Sequence, residues 1–443
     1  MKKVVFLCLF IAGTFAISSC TSNLEQVETI NLDRETVFAD SAYTARFHSQ
    51  ICTNVGYDVK PNRYKTEFMG WVTQHGGLQT ACDEAAYKVV SDVTNDVMFA
   101  TGTINPVNVK EDDVWKIAYV NIRRANVFMR YVDGSPITKS VKQQYKAEAR
   151  FLRAWYYAML LRHYGGVPLI GDNIYEVDDD MKTSRDTYAD CVEYIVNECE
   201  LAARDLPNKF RGINTGRATA GSCKGLISRV RLYEASKLFN GSDFGKSAGF
   251  PKELIGHLEY NKERWKDAIN ACEEFFTALN QNGYYKLVEV GDNGTSDVRG
   301  AYTSAYYDRG TTETLISVRR NILNANANSI LSNSIRWGGY CPTKEYFDMF
   351  QMSDGTDFSW DNPEQAKNPF LNRDPRLYET FILDGDKYNG RTAALTEALA
   401  SDPVNYPQGA DWAQGGSTHV LSLGTGLACR KWGLDRNTEW KNR

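Results

Sequence analysis

The chain has 443 residues, room for one large or two ordinary domains with a substantial core. Its formal charge is −4, with Lys and Arg dispersed rather than clustered, which argues against a nucleic-acid partner. Five scattered histidines, none in a His-Glu-x-x-His pattern, leave a zinc hydrolase without support.

At the N-terminus, Lys2 and Lys3 precede an almost unbroken apolar stretch from Val4 to Ile17. That stretch is too short to cross a bilayer and has the proportions of a signal-peptide apolar region. It closes on Ile17-Ser18-Ser19-Cys20, an aliphatic residue and two small ones before cysteine, as lipoprotein signal peptidase requires. Residues 1–19 therefore read as a cleaved signal peptide, Cys20 as the lipidation site, and 20–32 as a flexible, lipid-anchored leash. Cleavage would leave 49 basic and 55 acidic residues, a net charge of −6. Residues 33–443 are expected to form a single domain.

The segments 51–110 and 288–338 interleave Gly, Asn, Asp, Ser and Thr with aromatics and read as loop-rich. Between them lie five amphipathic patterns. From Asp113, Trp115, Ala118, Tyr119, Ile122, Ala125 and Met129 recur at helical spacing. A second helix is predicted over about 141–164, stopped by Gly165-Gly166 and Pro168. A third follows Asp186 and ends before Leu206-Pro207. A fourth, rich in small residues, spans about 217–239, and a fifth about 262–279. A short helical patch, 344–350, ends at Asp354-Gly355, and turn-rich segments follow. The fold class is thus mainly α, with antiparallel helix pairs in a tetratricopeptide-like scaffold and long loop-rich insertions. No strict repeat period is visible.

Of ten cysteines, Cys8 falls in the signal peptide and Cys20 at its end. Among the other eight no Cys-x-x-Cys pair occurs; Cys191, Cys199, Cys223 and Cys272 fall on apolar helix faces and read as small buried hydrophobes rather than disulfide partners. Asp178-Asp179-Asp180 lacks the spaced oxygen ligands of a calcium loop and reads as a solvated turn. No metal, cofactor or catalytic group is indicated.

Several of these stretches together resemble the SusD/RagB family of outer-membrane lipoproteins from the Bacteroidota. The residues that carry the resemblance are Trp115 to Tyr119 with Asn121-Ile122 and Ala125-Asn126, and above all Ala147 to Tyr157 running on to Tyr164-Gly165-Gly166-Val167-Pro168-Leu169. Gly216-Arg217-Ala218-Thr219, Pro342-Thr343 with Phe347 and Phe350, Asp354-Gly355 and Arg373-Asp374-Pro375-Arg376-Leu377 match as well. Members of that family continue past the Lys431-Trp432 segment into a further helix pair, so a chain stopping at Arg443 is expected to be a fragment or to lack the final helices.

The resemblance implies a binding protein, not an enzyme, that captures a glycan and passes it to a SusC-like TonB-dependent transporter. Some relatives handle peptides or other nutrients instead, and a helical glycoside hydrolase is the alternative from another class. Sugar rings stack their C–H faces on Trp and Tyr while short polar side chains bond the hydroxyls. With nine Trp and 25 Tyr available, the candidates from the loop-rich segments are Asn95, Asp96 and Phe99, then Tyr302, Tyr306, Tyr307, Asp308, Arg309 and Trp337, with Tyr64 and Trp71 earlier in the chain.

Overall fold

The computed structural model describes residues 33–56, 82–86, 101–103, 105, 114–181, 183–241, 243, 249–308, 310–317, 341–388, 391–393, 395 and 427–430. Cys20 and the leash lie outside them. Two helices open the described chain, α1 (Arg34–Ala39) and α2 (Ser41–Cys52), capped by the carboxylates of Asp33 and Asp40. Neither was evident from periodicity, because the buried face of α2 is built from Thr44, His48 and Ile51 rather than aliphatics alone.

The five expected helices are present as α3 (Val114–Tyr131), α4 (Lys139–Tyr164), α5 (Tyr188–Ala203), α6 (Ala220–Ala235) and α7 (Glu263–Asn282). Each packs chiefly on its neighbours in sequence, α3 on α4, α4 on α5, α5 on α6 and α6 on α7. Their shared core includes Ile122, Phe128, Phe151, Leu152, Tyr156, Leu160, Ile195 and Ile227, each such side chain contributing about 1.5–3 kcal/mol on burial. The central α4 is buried on most of its circumference, so Phe151 and Tyr157 are interior along with Leu152 and Tyr156.

The Gly165-Gly166 stop has a specific cause. Gly165 has φ +74°, and a Cβ there would lie 2.2 Å from the Leu254 carbonyl oxygen; at Gly166 it would lie 2.1 Å from that of Asp186. Arg185 closes this corner by donating to the carbonyls of Tyr164 and Gly166 at 2.6 and 2.7 Å.

Three helices meet at one buried guanidinium. Arg153, 1% exposed, donates to both the Glu198 carboxylate of α5 (2.9 and 2.6 Å), Asn126 of α3 (2.6 Å), and Gly171 and Asp172 of the following turn. Asn126 in turn donates to the carbonyls of Gly171 and Asn173. A charge so buried is tolerable only with its donors satisfied and its partners close.

Thr219 caps α6 in a reciprocal capping box with Ser222. Cys191, Cys199 and Cys223 are buried thiols, as expected, whereas Cys272 is only half-buried on α7. Asp178, Asp179 and Asp180 are exposed, Asp179 accepting from the Glu176 amide in a turn. No cluster able to hold a metal ion occurs among the described residues.

Beyond α7 the elements are short: α8 (Val298–Tyr307), α9 (Lys344–Asp348), α10 (Pro363–Lys367) and α11 (Pro375–Thr380). Two-residue strands pair antiparallel, β1 (Ala85–Ala86) with β2 (Cys341–Pro342), β3 (Phe381–Ile382) with β6 (Ala428–Cys429), and β4 (Lys387–Tyr388) with β5 (Arg391–Thr392). A second, small core joins Phe347, Leu377, Phe381 and Leu383. Above it Arg373 is buried, its guanidinium donating to the carbonyls of Pro369, Phe347 and Phe350 and lying 3.9 Å over the Phe358 ring.

Candidate ligand-facing aromatic site

The residues 298–307, expected within a loop-rich segment, form helix α8. Asp297 caps it by accepting from the Gly300 amide at 2.6 Å, and α8 packs on α11. The sequence Val-Arg-Gly-Ala-Tyr-Thr-Ser-Ala-Tyr-Tyr is poor in strong helix formers, so capping and tertiary packing outweigh propensity here.

The helix turn brings two of the expected site residues together. Tyr302 and Tyr306 stand four residues apart on one face, ring centroids 4.9 Å apart and inclined at 68°, both rings half-buried. The Tyr306 hydroxyl donates to that of Tyr302 at 3.2 Å. Burial raises the Tyr302 phenol above its ordinary range, so it stays protonated and able to donate. Such a pair offers ring surface and two hydroxyls side by side, which suits a ligand with both C–H faces and hydroxyls.

The surroundings come from α9 and α11. Tyr346 and Arg376 are close enough to act electrostatically on Tyr302. Tyr346 is held by edge contacts with Phe350 and a tilted one with Phe381. Arg376 is fixed by a bidentate pairing with Asp374, which also caps α11. Across the junction Arg299 pairs with Glu379. Nearby in sequence, Trp360 is 42% exposed; its indole N–H is held by Asp348 at 2.9 Å and the Lys344 ammonium lies 4.7 Å over its ring.

Asp308 is engaged in the scaffold, its carboxylate accepting from Ser304 at 2.6 Å, with Asn293 donating to Ser304. Tyr307 ends α8, and its side chain lies outside the described residues. Tyr64, Trp71, Asn95, Asp96, Phe99, Arg309 and Trp337 also fall outside them. Tyr346, Arg376 and Trp360 were not singled out from sequence. Arg376 sits within a recognised motif and Trp360 follows a turn, yet their proximity to α8 or α9 depends on tertiary packing.

Comparison with known proteins agrees with this architecture. Residues 66–232 match a SusD-like family described as "Starch-binding associating with outer membrane", and residues 301–438 match the SusD family. A SusD-like protein from Bacteroides ovatus is 29% identical over 142 residues, a match that spans 31% of this chain and a quarter of that protein's length. Among solved structures, a SusD-like protein from Bacteroides fragilis superposes with a TM-score of 0.62 at 20% identity, covering 90% of this chain and 69% of that one. A SusD-like carbohydrate binding protein from the same species gives 0.59 at 19% identity, covering 90% and 68%. The surface glycan-binding protein A of Bacteroides uniformis gives 0.52 at 14%, covering 89% and 69%. At these identities the superpositions establish the fold alone, whereas the two family matches, over residues 66–232 and 301–438, place the chain in the SusD family.

Proposed function

We propose that the chain is an exported lipoprotein that binds an oligosaccharide at the outer-membrane surface and delivers it to a TonB-dependent transporter. The observation that carries the binding reading is the Tyr302–Tyr306 pair, half-open rings with adjacent hydroxyls on one helix face. Similarity to proteins described as carbohydrate binding and surface glycan-binding supports the ligand class. The export and anchoring step rests on the Ile17-Ser18-Ser19-Cys20 sequence. In this reading residues 33–443 act as one binding domain, and Tyr64, Trp71, Asn95, Asp96, Phe99, Tyr307, Arg309 and Trp337 are further candidates for ligand contact.

The mature N-terminus, 20–32, serves as a tether that keeps captured ligand at high effective concentration near the transporter. The protein binds and releases without turnover. A glycan array followed by a reducing-end assay on the retained glycan tests this: saturable binding with no new reducing ends is expected, and released ends would favour the hydrolase. The double substitution Tyr302→Ala/Tyr306→Ala is expected to weaken the retained glycan by about tenfold or more, roughly 1.4 kcal/mol. Unchanged affinity would remove these tyrosines from the site.

A further inference from the structure

A second pocket lies in the helical scaffold, between α2, α4 and the loop that leads into α6. It encloses about 350 Å³, near the lower end of the ~300–1000 Å³ that small-molecule sites occupy. None of its lining residues belongs to the aromatic surface on α8, α9 and α11.

In its wall is His48, only 4% exposed, whose Nε2 atom has no hydrogen-bond partner among the described residues. The imidazole is stacked on Tyr145 at 4.4 Å and 9° and tilted against Phe128, so its ring plane is fixed. A buried polar nitrogen without a partner is costly in a native fold and calls for a physical explanation. Oε2 of Glu148 lies 3.6 Å from Nε2, beyond hydrogen-bonding distance. Burial, then the Arg217 cation, lowers the His48 pKa to about 3, so this contact is not an ion pair at neutral pH.

The charges in the wall cancel. Glu148 is held by Arg217 through two bonds of 3.0 and 2.7 Å, and by Gln144 at 2.9 Å. Arg217 also donates to Asn214 and lies over the rings of Tyr145 and Phe210. With a paired carboxylate and guanidinium and a neutral imidazole, the wall has no surplus charge to recruit an ion. Burial and the Glu148 charge push the Cys52 thiol up to about 12, so it stands there as a protonated, unreactive wall atom.

The chemistry of the lining instead suits hydroxyl groups. A hydroxyl set against His48 and Glu148 can donate to the carboxylate while accepting from a protonated Nε2, or donate its one hydrogen to Nε2 in the other tautomer. Ser49, Thr53, Asn214 and Thr215 offer further short polar partners, while Val55 and Ile213 supply surface for C–H groups. We propose that this pocket is a second ligand site, for one small neutral polyhydroxylated molecule of monosaccharide size, distinct from the oligosaccharide surface. It does not depend on the function proposed for that surface.

The test uses saturation-transfer NMR on the full chain, with glucose, galactose, mannose and glycerol as separate probes. At least one probe is expected to bind with a Kd of about 1–10 mM, the range of weak small-ligand affinity. Ile213→Trp, at a rim residue that is 85% exposed and outside the core, is expected to fill the mouth and weaken that probe by about tenfold or more. The same variant keeps its circular dichroism spectrum and its affinity for any oligosaccharide bound at the aromatic surface. His48→Phe, which removes the unpartnered nitrogen, is expected to lose the probe as well. No transfer to any probe overturns the proposal, as does binding that survives Ile213→Trp. Binding that survives there but is lost in Tyr302→Ala/Tyr306→Ala assigns the probe to the other surface and also overturns it.

Discussion

The helical stack α3–α7 and the short-element region from α8 to β6 each enclose a nearly inaccessible arginine, and the two are accommodated differently. Arg153 in the stack faces carboxylates: Glu198 and Asp172 take its charge, and Asn126 and a backbone carbonyl complete its bonds. Burial works against that charge, but Tyr194, Glu198 and Asp172 outweigh it, and its pKa lies above the ordinary value. Among the described residues no carboxylate lies within ion-pairing distance of Arg373; it binds three carbonyl oxygens and rests on the faces of Phe347 and Phe358. There burial prevails over the distant Asp348, and the pKa is lowered. In the stack the cation neutralises acids between helices, whereas in the short-element region it ties loop backbones that have no regular hydrogen-bonding pattern of their own.

Substitution by methionine separates the two cases. Arg153→Met leaves Glu198 buried with Arg150 as its one remaining cation among the described residues, and is expected to cost about 3–5 kcal/mol in urea unfolding. Arg373→Met strands only carbonyl oxygens and is expected to cost less, about 1–3 kcal/mol. Equal losses would show that the carboxylates do not set the difference.

Acid should unsettle the stack selectively through His48. The unfolded chain protonates this imidazole near pH 6.5, the folded chain only at about 3. Its contribution to stability is therefore whole above pH 6.5 and drains away as pH falls through that window, at up to about 1.4 kcal/mol per pH unit. Glu148, whose pKa burial raises despite Arg217, acts in the opposite sense above its ordinary 4.5. Urea midpoints measured between pH 7 and pH 4 should show the decline, and His48→Gln should flatten it. The smallest expected effect is local: Thr219→Ala removes the cap of α6 and should cost about 1 kcal/mol in the same unfolding assay.

The two regions also differ in how much of them could be read beforehand. Helices α3 to α7 follow from apolar spacing, because each buries a continuous face on its neighbours. The polar interior of the stack was not legible: Arg153, Glu148 and Glu198 look like solvent-facing charges until three helices are assembled around them. In the candidate site, Tyr302 and Tyr306 were identifiable as residue types but not as an edge-to-face pair, since α8 shows little helical propensity of its own. Tyr346 and Arg376, some forty and seventy positions further along, reach Tyr302 only through the packing of α9 and α11, which no local pattern encodes.

The Arg153 junction has a consequence for the order in which the stack comes apart. In an array where each helix leans on its neighbours, opening tends to begin at an end and advance one helix at a time. One side chain bonded simultaneously into α3, α5 and the turn after α4 prevents those elements from opening singly. Amide exchange should therefore report α3, α4 and α5 as one slow, concerted block. Exchange in α7, whose Trp265, Ile269 and Phe276 stand out in solvent, should run ahead of it.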